Sequence, residues 1–171
     1  MYFKTDRVTF RELKAEDEKF YIQTYTDPQL MKYTGVELNT AQAKSAFLTT
    51  LTATQKSAAN YMMFVLCRNN TTTPLGFIAF KDLSLSKRSA EIGIILQREA
   101  QGKGIAFHCV SAVVTYGFDK LSLNNIFANL KVANKAGIKL INRLGFEPVK
   151  SNCEKNTPSD VQLYSKIKET I

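Results

Sequence analysis

The chain has 171 residues, of which 44% are apolar and 22% are charged, and its formal net charge is +8. This length and apolar content suit one compact core, so we expect a single domain over residues 1–171. Charges interrupt the longest apolar stretches well short of a membrane span, and residues 1–6 lack the apolar core of a secretory signal. We therefore expect a cytoplasmic protein without a membrane partner.

The basic residues are dispersed along the chain. They form no run of five or six, no zinc-finger spacing and no aromatic-interleaved RNA-binding signature, so we expect no direct nucleic-acid partner. Cys67, Cys109 and Cys153 are odd in number and scattered, which favours reduced thiols and predicts no metal site.

Hydrophobic spacing and turn residues predict an alternation of strands and helices in the first half of the chain. The first helix ends before a turn at Asp27-Pro28, and the second starts at an Asn39 or Thr40 cap. In chain order the predicted elements are strand Arg7–Leu13, helix Ala15–Thr26, a helix to about Gln55, an antiparallel pair Tyr61–Cys67 and Leu75–Lys81, and strand Ser89–Leu96.

A glycine turn, Gly102-Lys103-Gly104, follows that last strand and precedes an apolar-periodic helix. Glycine adopts backbone angles closed to other residues, so successive N–H groups in such a turn can face one anion, and the helix N-terminus adds partial positive charge. The sequence lacks the spacing of a P-loop, and Phe107 replaces the third glycine of a dinucleotide fingerprint. The turn therefore predicts a different phosphate-bearing ligand.

The second half continues the alternation. Its predicted elements are helix Lys103–Asp119, strand Asn125–Val132, helix Asn134–Arg143, and a closing strand pair Phe146–Lys150 and Val161–Ile167. The polar stretch Ser151–Ser159 contains Pro158 and predicts a mobile loop. His108, the only histidine, lies opposite the apolar side of its helix, so we expect an exposed or partly covered structural residue.

The order of these motifs resembles the RimJ/RimL-like ribosomal-protein acetyltransferase branch of the GNAT superfamily of N-acetyltransferases. The resemblance is carried by Thr5–Leu13 with Glu16-Asp17, Ala90–Gly93, the glycine turn, Asn134–Ile138, Leu144–Phe146 and Asp160–Ser165. It implies an α+β fold with a mixed, mostly antiparallel central sheet that is splayed at its centre and flanked by helices. The first two helices usually wall the acceptor pocket in that family.

The resemblance also implies acetyl-CoA as cosubstrate and assigns residues to it. The pantetheine arm would lie against the backbone of Ile94, Ile95 and Leu96. The pyrophosphate would be held by Gln101, Gly102, Lys103, Gly104, Ile105 and Ala106. Glu99 departs from the family signature at its first position, and an acid there cannot bind phosphate through its side chain. Asn134 either faces the coenzyme arm, caps the following helix, or serves both roles.

The resemblance makes Glu91 the candidate general base, acting directly or through water on the acceptor ammonium. In the alternative interpretation, Glu91 forms an ion pair with Lys87 or Arg88 at the sheet edge. The family's usual proton donors to the leaving thiolate are absent, because Gly137 and Ile141 occupy their positions. Water, another tyrosine such as Tyr116 or Tyr164, or catalysis by positioning alone remain open.

We predict an enzyme that moves an acetyl group from acetyl-CoA to a primary amine, acting as a monomer or homodimer. The leading acceptor is a protein N-terminal α-amine, as in the ribosomal branch. One alternative acceptor is a small-molecule amine such as a polyamine, an amino sugar or an antibiotic. The other alternative is a non-catalytic acyl-CoA-binding module.

Overall fold

The computed structural model describes residues 2–54, 60–149 and 158–169. Across these residues it has five α-helices and eight strands. The helices are α1 Glu18–Tyr25, α2 Pro28–Met31, α3 Thr40–Thr54, α4 Ile105–Asp119 and α5 Lys135–Arg143. The strands are β1 Tyr2–Lys4, β2 Val8–Glu12, β3 Met62–Arg68, β4 Pro74–Ser84, β5 Ser89–Leu96, β6 Asn125–Lys131, β7 Glu147–Pro148 and β8 Val161–Ile167.

All eight strands form one sheet in the order β1-β2-β3-β4-β5-β6-β8-β7. Every neighbouring pair is antiparallel except β5 and β6, which are parallel. The predicted mixed, mostly antiparallel α+β fold is therefore confirmed. Because β5 and β6 are parallel, both strands end at the same edge of the sheet, and α4 is the crossover that connects them.

The parallel pair separates soon after it begins. Its register joins Ser89 to Asn125, Ala90 to Ile126 and Glu91 to Phe127, and within these two fully described strands the pairing goes no further. The β6-facing edge of residues 92–96 therefore has no strand partner among the described residues. This opening is the predicted splay at the centre of the sheet.

Side chains alternate between two cores, one on each face of the sheet. On β4, Phe77 and Ala79 pack in a cluster with Tyr21 of α1 and Phe47 of α3. The intervening residues of β4 pack in a larger cluster with α4, including the fully buried Val113. This period-2 burial places α1 and α3 on one face and α4 on the other. No described helix has the length and apolar content to cross a membrane.

The predicted turn at Asp27-Pro28 is instead the start of a helix. The Asp27 carboxylate accepts hydrogen bonds from the main-chain N–H groups of Gln29 and Leu30, at 2.8 and 3.2 Å, and Pro28 occupies the first helical position. An aspartate cap followed by proline starts a helix well, so the chain begins α2 here. The sequence prediction also missed β1, and most of the predicted loop Ser151–Ser159 lies outside the described residues.

Candidate active site

Four chain segments meet at the splayed edge of the sheet. Since β5 and β6 are parallel, their carboxyl ends lie at this edge, and short loops from them lead to the N-termini of α4 and α5. The arrangement brings together the residues that the sequence assigned to acetyl-CoA: the end of β5, the glycine turn and Asn134. Ligands of α/β sheets bind where strand ends diverge in this way.

The glycine turn has the backbone geometry that its sequence predicts. Gly102 and Gly104 both have left-handed φ angles, of 72° and 75°, and Gly104 is the N-cap of α4. A Cβ atom built at either glycine meets nothing within 4 Å. The first-turn N–H groups of α4 have no acceptor inside the helix, and Gly104 has no side chain to cap them. Open space beside these donors suits an anionic group.

Gln101 braces the loop between β5 and the turn. Its side-chain Nε2 donates to the carbonyl of Leu96 at 2.9 Å, and its main-chain N–H donates to the carbonyl of Arg98 at 3.1 Å. Both donors of Gln101 therefore point back into the loop. The side chains of Ile94, Ile95 and Leu96 pack into apolar clusters, so only their backbone is available at the cleft.

Asn134 caps α5. Its Oδ1 accepts a hydrogen bond from the N–H of Gly137 at 2.9 Å, which is one of the two roles that the sequence left open. A Cβ atom at position 137 would lie 2.6 Å from the Asn134 Nδ2 atom. Glycine is therefore needed at position 137 as long as the cap keeps this geometry. Ile141, at the other position where the family usually has a proton donor, is buried in the core.

A cavity of about 400 Å³ lies on the face of the sheet that does not pack against α4, between the sheet and the helices α1 and α3. Its described walls combine aromatic rings, hydroxyl groups and short apolar side chains. They are Tyr21, Tyr25, Met31, Thr34, Thr49, Thr50, Ala53, Asn60, Tyr61, Met63, Phe77, Ala79, Lys81, Gly93 and Ile95. Among these described lining residues, Lys81 carries the only charge.

Three tyrosines dominate the aromatic part of the wall. The rings of Tyr21 and Tyr25 stack with centroids 4.2 Å apart, and the Tyr21 hydroxyl lies 3.3 Å from the Thr50 hydroxyl. Burial raises the pKa of Tyr21 and of Tyr61, and raises the pKa of Tyr25 well above its ordinary value. The three phenols therefore stay protonated at neutral pH and present neutral hydrogen-bonding groups.

Glu91 lies on the cavity face of β5, at the point where the strands separate. Its Oε1 pairs with the Lys81 ammonium at 2.8 Å, and its Oε2 accepts from Asn129 Nδ2 at 2.8 Å. The proposed pairing with Lys87 or Arg88 is wrong, because β5 is an interior strand and its register with β4 places Lys81 opposite Glu91. Each carboxylate oxygen keeps a second lone pair for an acceptor ammonium or a water.

Sequence reasoning missed most of the cavity wall. It assigned no site role to Tyr21, Tyr61 or Lys81, which lie on α1, directly before β3 and on β4. Tyr21 and Tyr25 are one helical turn apart, and this i, i+4 aromatic pair was the available signal. His108 is half-buried, as expected, and its Nε2 has no hydrogen-bond partner among the described atoms.

The cysteines agree with the reduced state expected from their spacing. Cys67 and Cys109 are both buried free thiols, and burial raises the pKa of Cys109 to about 12. Tyr116 stacks on Phe3, with ring centroids 5.3 Å apart, in the core on the α4 side. Cys153 lies outside the described residues.

A glycine turn with open space for an anion at the carboxyl end of β5, and a side-chain cavity under α1 and α3, suit an enzyme that brings two substrates together for group transfer. The family model described as the acetyltransferase (GNAT) domain matches residues 7–147, so the chain belongs to this family. It is an acetyl-CoA-dependent N-acetyltransferase. The family resemblance inferred from the motifs is thereby confirmed.

Known proteins of similar sequence or fold are also named N-acetyltransferases. The uncharacterized N-acetyltransferase p20 of Bacillus licheniformis is 30% identical over 145 residues, which cover 84% of this chain and 80% of p20. The spermidine N-acetyltransferase of Vibrio cholerae, solved with CoA and spermine, has a TM-score of 0.80 at 21% identity and covers 95% of this chain and 96% of its own.

A RimL ribosomal alpha-N-protein acetyltransferase, solved with coenzyme A, has a TM-score of 0.81 at 15% identity, covering 98% of both chains. At these identities the two solved structures establish the fold. Their names differ in acceptor, one a polyamine and the other a protein N-terminus.

Proposed function

We propose that this chain acts as a single domain that transfers the acetyl group of acetyl-CoA to a protein N-terminal α-amine. The observation that carries the proposal is the charge of the cavity wall. The described lining holds one cation, Lys81, and no carboxylate, and the neighbouring Glu91 is already paired with Lys81. A polyamine or an aminoglycoside brings several ammonium groups, which need anionic partners when they leave water. A peptide N-terminus brings one ammonium.

The rest of the wall also suits a peptide. Aromatic faces attract a single ammonium, and the neutral hydroxyl and amide groups of Tyr61, Thr34 and Asn60 can hydrogen-bond to a peptide backbone. An N-terminal residue with a short side chain fits a space of about 400 Å³. Spermidine is the second candidate acceptor, because the structurally similar Vibrio cholerae enzyme acetylates it.

For acetyl-CoA, we assign the pyrophosphate to the main chain of residues 102–106, while Gln101 holds the loop through its bonds to Leu96 and Arg98. The pantetheine arm takes the β6-facing backbone of Ile94, Ile95 and Leu96. Asn134 donates its amide Nδ2 to that arm while its Oδ1 caps α5. These assignments use backbone donors at an uncapped helix N-terminus, where a phosphate is favoured by both hydrogen bonding and the helix dipole.

The reaction joins the acceptor nitrogen to the acetyl carbon and breaks the bond from that carbon to sulfur. Glu91 accepts the proton that the ammonium must lose before it attacks, directly or through a water. The nitrogen loses its second proton to solvent after it has bonded to the acetyl carbon, and the thiolate takes a proton from solvent, because Gly137 and Ile141 provide no donor. Holding the thioester against the amine at the strand opening supplies the remaining rate enhancement.

Release of free thiol from acetyl-CoA tests the proposal. The acceptors are one peptide with a free N-terminus, the same peptide with its α-amine blocked, and spermidine. We expect turnover on the free peptide to exceed turnover on spermidine by tenfold or more, and none on the blocked peptide. Turnover on the blocked peptide would assign the activity to lysine side chains, and preferred turnover on spermidine would assign it to polyamines. Acetyl-CoA binding without turnover on any amine would contradict the proposal.

A further inference from the structure

The Lys81–Glu91 ion pair stands at the edge of the acceptor cavity. The two residues are cross-strand partners on β4 and β5, and they point to the same face as Gly93 and Ile95, which line the cavity. Their charged atoms are 2.8 Å apart. Lys81 lines the cavity, and Glu91 lies beside it at the cavity edge.

The two partners are not equally accessible. The Glu91 side chain is 18% exposed and is held from its other side by Asn129, whereas the Lys81 side chain is 43% exposed and lines the cavity. A molecule in the cavity therefore meets the ammonium before it meets the carboxylate.

Gly93 lies beneath the Lys81 side chain. A Cβ atom at position 93 would lie 3.4 Å from the Lys81 Cε atom and 3.9 Å from its Nζ atom, which are ordinary contact distances. The end of the lysine stem therefore lies directly over the glycine, on the same face of β5 as Glu91.

We propose that Lys81 is a specificity-determining residue: it neutralises the Glu91 carboxylate that serves the reacting amine, and so leaves no uncompensated negative charge for a second ammonium of the acceptor. An acceptor with one ammonium loses nothing by this, while a diamine meets a fixed positive charge where it needs a negative one. Without the Lys81 charge, the half-buried carboxylate becomes a cation site in the cavity wall. The inference rests on the proposed function, because it explains the acceptor preference proposed for that cavity.

The test compares 1-aminobutane with 1,4-diaminobutane, which differ by one ammonium, as acceptors for Lys81→Met. Methionine keeps an unbranched apolar stem over Gly93 and removes the charge. We expect the ratio of kcat/KM for the diamine to that for the monoamine to rise about tenfold or more. The double variant Lys81→Met with Glu91→Gln should return the ratio to the wild-type value, because a neutral amide cannot bind the second ammonium as a carboxylate does.

Lys44→Met is the matched control. Lys44 also pairs with a glutamate, Glu18, at 3.5 Å, but it does not line the cavity. Its ratio should equal that of the wild type. Lys81→Gln is a second variant that removes the charge. The unfolding temperature of each variant shows whether its fold is preserved.

Calorimetric binding of 1,4-diaminobutane provides a readout that does not need turnover. Tighter diamine binding by Lys81→Met, lost in the double variant, supports the inference. An unchanged ratio and unchanged binding in a folded Lys81→Met or Lys81→Gln variant would overturn it, and so would a gain that persists without Glu91. Failure of the wild type to acetylate any amine would instead contradict the proposed function.

Discussion

The two sides of the split strands are built from different parts of the chain. On the coenzyme side, the candidate contacts are main-chain groups of β5, the glycine turn and the first turn of α4. On the acceptor side, the cavity is walled by side chains from α1, α3 and the strands β3 to β5. One site depends on backbone geometry, and the other depends on which side chains happen to meet.

This difference fits the two similar enzymes of known structure, which were both solved with coenzyme A and are named for different acceptors. Backbone donors are independent of most substitutions, so the coenzyme side tolerates sequence change as long as its glycines remain. A side-chain wall changes chemically with each substitution. Substitutions that act through the main chain should therefore alter acetyl-CoA binding, and those that act on the cavity should alter acceptor use.

The largest effect is expected where main chain packs on main chain. A Cβ atom at position 76 would lie 2.1 Å from the carbonyl oxygen of Ile95 and 2.9 Å from the Cα of Leu96, and Gly76 has a φ of 155°. We expect Gly76→Ala to lower the free energy of unfolding by at least about 3 kcal/mol, since neither backbone can yield cheaply. Chemical denaturation measures this. Ala79→Gly in the same strand, at about 1 kcal/mol, is the control.

Glu91→Gln separates chemistry from coenzyme binding. We expect kcat to fall about a hundredfold, the usual size of a lost general base, while the acetyl-CoA Kd stays within about twofold. Steady-state kinetics and calorimetry give the two numbers. Glu18→Gln is a control because Glu18 also pairs with a lysine, away from the cavity. Unchanged turnover at neutral pH would remove Glu91 from the mechanism.

Gly104→Val tests the coenzyme side through its backbone. A β-branched residue resists the left-handed φ of 75° at this position, at about 2 kcal/mol. The turn can relax in the free protein but must regain its shape to bind, so we expect the acetyl-CoA Kd to rise about tenfold to thirtyfold. Lys103→Ala, which keeps the backbone, should change it by less than about threefold. Equal losses in both variants would mean that side chains hold the phosphates.

The smallest effect separates the two roles of Asn134. Asn134→Asp keeps an oxygen for the Gly137 N–H, so the free energy of unfolding should change by less than about 0.5 kcal/mol. It removes the amide donor, and we expect the acetyl-CoA Kd to rise about fivefold, the value of one hydrogen bond. Asn134→Ala should lose about 1 kcal/mol of stability as well. An unchanged Kd in the aspartate variant would leave Asn134 as a helix cap only.

The sequence predicted the local backbone of β5 and the glycine turn better than the cavity wall, and the reason is physical. A glycine turn between a strand and a helix constrains its own backbone, so local sequence is enough to recognise it. The bounds of β5 and β8 agree with the predicted ones, Ser89–Leu96 and Val161–Ile167, because apolar alternation there is strong.

The cavity depends on register and helix packing, which local sequence does not determine. Glu91 meets Lys81 because β4 and β5 pair in one particular register, and β4 extends past its predicted end at Lys81 to Ser84. Lys81 and Asp82 interrupt the apolar run of β4, so local sequence does not predict that the strand continues. Tyr61 lies in the same cavity wall as Tyr21 and Tyr25 because α1 packs on the sheet.

A competition experiment tests the central claim most directly. One reaction holds acetyl-CoA, a peptide with a free α-amine and blocked lysines, and spermidine at the same concentration, and mass spectrometry counts the acetylated products. We expect acetylated peptide to exceed acetylspermidine by tenfold or more at early times. A tenfold excess corresponds to a difference of about 1.4 kcal/mol between the activation free energies of the two reactions. An excess of acetylspermidine would contradict the account of the acceptor cavity.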